Sequence, residues 1–85
     1  MKIDEAVIGT RVESLIDFSG VPCGAQGVID EDYGTGVMVA WDLLKQPLPA
    51  GYRKHDGKSA MQSGLLRDGF DKVADLPYLK LYTAN

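Results

Sequence analysis

With 85 residues, 45% of them hydrophobic, and a net charge of −3, the chain is large enough for one small apolar core and shows no composition break that would divide 1–85 into two domains. Its single cysteine, Cys23, excludes a disulfide and a multi-thiolate metal centre, and an unpaired thiol points to a reducing cytoplasm. No run reaches the ~20 apolar residues of a membrane span. Met1 to Glu5 carries acids where a signal peptide would be apolar, so a soluble cytoplasmic protein without membrane association is expected.

Charge is uneven along the chain. Residues 1–44 hold two basic against eight acidic side chains, and residues 45–85 hold seven against four. Such asymmetry favours self-association when it survives in space, and cancels when the two halves interleave in one sheet.

In chain order, Arg11 to Ile16 is rich in β-formers and half polar, and Gly20 to Gly24 punctuates it with turn residues. Gln26 to Asp30 reads as a second strand. Gly36 to Trp41 is the clearest third, with Val37, Val39 and Trp41 on one face and Met38 and Ala40 on the other. Both of its faces are apolar, so the second face needs cover from another segment or another copy.

Asp30, Glu31, Asp32, Gly34 and Gly36 lie between those strands. Counted from Asp30 as a calcium loop, the sixth position is Thr35 and the twelfth is Trp41, where glycine and glutamate are required. A dinucleotide fingerprint would need glycine at Val39 and a helix afterwards. The pattern therefore predicts a hairpin, with Gly34 and Gly36 supplying positive φ and the acids solvating its tip.

Leu43 to Gly64 has Pro47, Pro49, Gly51 and Gly57 and little periodicity, yet Leu43, Leu44, Leu48, Tyr52 and Met61 are too apolar for a free linker. This connection is expected to pack against something. Ser59 to Gln62 has capping-box spacing for one helical turn, and Phe70 to Leu76 a second, stopped by Pro77. Pro77 to Tyr82 alternates as the closing strand. The expected core is Val12, Ile16, Val28, Val37, Val39, Trp41, Leu66, Phe70, Leu79 and Leu81.

Few patterns carry chemistry. Gly51 and Gly57 are separated by five residues where a Walker A loop needs four, and no helix of adequate length follows. A nucleophilic pair would need Cys23 beside His55, the only histidine, which sequence cannot place together. Tyr52, Arg53, Lys54, His55 and Lys58 form the one local basic patch, able to meet phosphates and stack a base, although Asp56 interrupts it and the acidic pI near 4.9 opposes a dedicated nucleic-acid role.

Gly9-x-Arg11-Val12, Pro22-x-Gly24-x-x-Gly27-x-Ile29 and Val37-x-Val39-x-Trp41-Asp42 together resemble the opening strands of SH3-like small barrels, including KOW-type modules. They are similar also to small bacterial proteins of unknown function that carry a Gly-x-Arg-Val strand and a Val-x-Val-x-Trp-Asp strand around a Pro-x-Gly turn. The resemblance covers residues 9–42 and the Tyr78 to Tyr82 strand. It implies a mainly β, SH3-like small barrel of about five antiparallel strands, with a long irregular connection and one or two short helical turns. It specifies the barrel and not its ligand.

The expected function is a non-catalytic binding or assembly module, self-associating or meeting a protein partner through the connection after Trp41. Its candidate binding residues are Tyr33, Trp41, Leu43, Leu44, Tyr52, Arg53, Lys54, His55 and Lys58; no catalytic residue, metal or cofactor is expected. The alternative is single-stranded nucleic-acid binding through the Tyr52 to Lys58 loop.

Overall fold

The computed structural model describes residues 1–55 and 64–82. Five strands, β1 (Arg11–Ser14), β2 (Gln26–Asp32), β3 (Gly36–Asp42), β4 (Arg67–Asp71) and β5 (Leu79–Leu81), form one antiparallel sheet in the order β4-β3-β2-β1-β5. The fold is mainly β, as expected. Short 3-10 turns at Ile3–Glu5 and Leu76–Tyr78 are its helical elements among the described residues. The sheet curls into a half-barrel with β4 and β5 at its two edges.

Hydrophobic alternation explains which face curls inward. Val37, Val39 and Trp41 of β3 meet Val12, Ile29, Phe70 and Leu79 in the main core, all buried. The Phe18, Trp41 and Phe70 rings pack edge to face at centroid separations of 5.7 to 6.1 Å. The Trp41 indole Nε1 donates to Asp68 Oδ2 at 3.0 Å, so the ring is buried without stranding its one polar atom. Gly27 stands opposite Trp41 in the β2–β3 register, and a Cβ there would lie 2.9 Å from the indole Cε3. Its bare backbone is what lets the indole lie across β2.

The β2–β3 connection is the predicted hairpin. Tyr33 N–H donates to the Gly36 carbonyl, leaving a two-residue loop, Gly34-Thr35, with φ +94° at Gly34. Asp32 Oδ1 accepts the Gly34 N–H at 2.9 Å. Gly36 serves differently from expectation: its φ is ordinary, and the missing side chain makes room for the Tyr33 hydroxyl and the Phe70 carbonyl, the latter 2.7 Å from a hypothetical Cβ.

Other departures have local causes. Strand β4 has no apolar alternation, with Phe70 its one apolar residue, and Phe70 therefore lies in this strand and not in the helical turn expected from Phe70 to Leu76. Pro77 does not stop a helical turn; it sits in the first turn of the 3-10 segment, where its missing N–H is harmless. Leu81 is 39% exposed although assigned to the core, since β5 is an edge strand of three residues and only Leu79 reaches inward. Leu66 and Ile16 are half-buried, while Ala6, Val21, Ile29 and Leu76 join the core unannounced. The helical turn expected over Ser59 to Gln62 lies outside the described residues.

Candidate functional site

The second face of β3 is covered by the chain itself. Val28 and Ala40 sit on this outer face with Leu65, and Leu48 and Tyr52 of the long connection pack over them. At Ala40 the outer face of β3 is thus buried within the chain, while Met38, its neighbour on that face, is half-buried.

A β-bulge organises what lies beside that cluster. The β2–β3 register pairs Ile29 with Val39 and then Glu31 with Met38, so Asp30 is an extra residue. Without the bulge, consecutive side chains would alternate faces; with it, Asp30 and Glu31 both project outward. Arg67, opposite Ala40 on β4, meets them both. Its Nε donates to Asp30 Oδ2 at 2.8 Å, its Nη2 to Asp30 Oδ1 at 3.0 Å, and Nη2 also to Glu31 Oε1 at 2.8 Å. The Asp30 hydrogen bond holds the guanidinium above its ordinary pKa, outweighing the opposing effect of burial, with Glu31 adding to it.

Asp30 also anchors the connection. The Tyr52 hydroxyl donates to Asp30 Oδ2 at 2.6 Å, and the His55 N–H donates to the Asp30 carbonyl at 2.9 Å. One buried residue thus fixes, through its carboxylate and its carbonyl, a connection whose described residues form no strand or helix. At the other end of this segment, Asp42 Oδ1 accepts the Leu48 N–H at 2.9 Å.

Between the pinned connection and the sheet runs a cleft of about 360 Å³. The backbone of Gly27 and the side chain of Val28 form its floor, Leu48, Pro49 and Tyr52 its apolar wall, and Arg11, Arg53 and Asp42 its charged groups. The Arg53 guanidinium lies against Gly9, with Nη2 2.9 Å from where a Cβ would stand. The Arg11 guanidinium stands 5.4 Å from the centroid of the Tyr82 ring. Among the described residues the ion pairs are Arg67 with Asp30 and Glu31, Lys72 with Asp32, and Lys80 with Glu13. Arg11 and Arg53 enter none of them.

Of the residues expected to bind, Tyr52 and Arg53 line this cleft, with Arg11 and Asp42 beside them unforeseen. Trp41 requires correction as a contact residue: it is fully buried and bonded to Asp68, so its ring presents no surface. Tyr33 is exposed at the hairpin, away from the cleft lining. Leu43 packs against the main core, whereas Leu44 is fully exposed. Lys54 is exposed, His55 is half-buried beneath its backbone bond to Asp30, and Lys58 lies outside the described residues. Cys23, in the turn before β2, and His55, near Asp30, are placed toward opposite ends of that strand.

The acids of the hairpin region are occupied by cations and backbone. Asp32 is held below its ordinary pKa of 3.8, first by the Gly34 N–H and then by Lys72, whose Nζ lies 2.9 Å from Oδ1. Among the described residues no three His, Cys, Asp or Glu side chains gather as a metal site, and no helix is long and apolar enough to cross a membrane. Asp30 as an anchor was missed because a buried acid in a strand runs against the hydropathy pattern. Its one sequence signal is that the apolar pair Val28-Ile29 runs straight into three acids.

Comparison with protein families, curated proteins and solved structures finds no match to this chain.

Proposed function

We propose that the chain is a non-catalytic, cytoplasmic binding module of SH3-like type, with its ligand site in the cleft under the connection after β3. The meander from β1 to β4, with β5 returned beside β1, supports the SH3-like assignment. The observation that carries the binding reading is the cleft itself: a connection tied down by a buried carboxylate roofs an indentation lined by two guanidinia that lack a carboxylate partner among the described residues. Tying down the roof in advance lowers the ordering cost of binding. The KOW-type partner surface is not carried over, because the long β3–β4 connection replaces the short loop such a module would have.

Selection from a random-peptide display library against the full chain tests this. Recovered peptides should bind saturably and shift the amide resonances of Gly9, Gly27, Val28 and Tyr52 in a ¹⁵N-labelled sample. Failure to recover any saturable binder, or shifts confined to other surfaces, would remove the reading.

Self-association is a second reading favoured by one observation. Leu44 is 104% exposed at the start of the connection, beside an open trough formed by Pro22, Cys23, Gly24 and Leu43. Sedimentation equilibrium should then show a dimer that Leu44→Ser dissociates, and a monomer across the concentration range would dismiss it. Single-strand binding through residues 52–58 has less support, since a polyanion would meet a chain of net charge −3 and Asp42 in the cleft lining.

A further inference from the structure

We infer that the cleft takes an extended peptide anchored by a single carboxylate held between Arg11 and Arg53; this rests on the cleft being the binding site. Chain order fixes the layout. Arg11, the first residue of β1, pairs with Val28, and the Arg53 guanidinium covers Gly9 in the turn that precedes the strand, where the Gly9 N–H bonds the Ile29 carbonyl. Both arginines line the one cleft. A carboxylate can accept from a donor on each of its two oxygens, and guanidinium groups are the side chains shaped to donate to it in pairs.

The opposite end of the cleft sets what else the ligand can be. Asp42 pairs with Gln26, two residues along β2 from the Val28–Ala40 row, so a negative group stands at the end away from Arg53. A run of acids or a phosphodiester strand laid along the cleft would place charge against Asp42 and against a chain of net charge −3. One acid satisfies the two arginines and leaves the Asp42 end for a neutral or basic residue. Between them, Val28, Leu48 and Tyr52 offer apolar contact to the residue beside the anchor. A volume of about 360 Å³ sits at the low end of the ~300–1,000 Å³ typical of ligand pockets and suits an anchor residue with its neighbour.

The test measures affinity of display-selected peptides by fluorescence anisotropy, using the full chain and its Arg11→Gln and Arg53→Gln variants, whose folding is checked by their amide spectra. Each selected peptide should carry one Asp or Glu. Replacing that acid by its amide should weaken binding about tenfold or more, each Arg→Gln variant should do the same, and the losses should not add when the peptide already lacks the acid. Peptides that bind the cleft equally well without an acid, or that ignore both arginine variants, would overturn the carboxylate anchor while leaving the cleft a binding site. If no peptide binds at all, both readings fall. A labelled oligothymidylate that binds more tightly than the peptides, with the same dependence on the arginines, would overturn it in favour of a polyanion.

Discussion

Replacing Asp30 by alanine would remove three side-chain hydrogen bonds in one step: those from Tyr52 Oη and from Arg67 Nε and Nη2. The Asp30 side chain is fully buried and that of Arg67 is 9% exposed, so the substitution leaves a desolvated cation whose one remaining partner, Glu31, is 46% exposed. Breaking a buried pair by deleting one member costs about 3–5 kcal/mol, and the surviving Glu31 contact places this case near about 3. A chain of 85 residues is stable by about 4–13 kcal/mol, which makes that loss a large fraction of the whole. Urea unfolding followed by Trp41 fluorescence reads it directly, because the indole is buried in the native state. Tyr52→Phe alone should cost about 1.5 kcal/mol, and much less in an Asp30→Ala background, since the bond is already gone. Adding Arg67→Met to Asp30→Ala should restore stability by neutralising the stranded charge. An Asp30→Ala protein within about 0.5 kcal/mol of wild type would refute the view that this carboxylate anchors the connection.

Trp41→Ala should destabilise by about 3–5 kcal/mol, as expected for an aromatic ring removed from a core, while Trp41→Phe should cost less and leave Asp68 without its indole donor; both are measured by chemical denaturation. Gly27→Ala would press a methyl within 2.7 Å of the Ala40 carbonyl oxygen and 2.9 Å of the Trp41 ring, so a loss of about 1–3 kcal/mol with altered near-ultraviolet dichroism is expected. Asp32 has a folded-state pKa lowered from 3.8, so its stabilising contribution is complete above that value and disappears as pH falls through the lower folded value. Carboxyl ¹³C titration should show the depressed midpoint, and Lys72→Met should move it back upward.

The parts of this fold that could be read in advance are those set by neighbours in sequence. Val37, Val39 and Trp41 announce β3 by period two, and Gly34 announces the hairpin because few other residues accept φ +94°. The need to cover the outer face of β3 is also legible, and at Ala40 the cover comes from the apolar residues Leu48 and Tyr52 of the connection. The site was less accessible. Arg67 lies 37 residues from Asp30, and nothing local to either reveals that the bulge turns Asp30 and Glu31 to the same side. The cleft joins Arg11 of β1 to Arg53 of the connection, so its charge arises from chain reversal and not from a contiguous basic run. The run that was visible, Arg53 and Lys54 with His55, contributes only Arg53 to that lining.

The extra residue in β2 bears on how kinship with this chain would look. A protein sharing the sheet but holding a regular ladder at this point would align with a one-residue gap at position 30. In such a relative a lone acid would face the arginine, and the segment following the third strand would have lost its tether. Gain or loss of a single codon there would separate tethered members of the lineage from untethered ones.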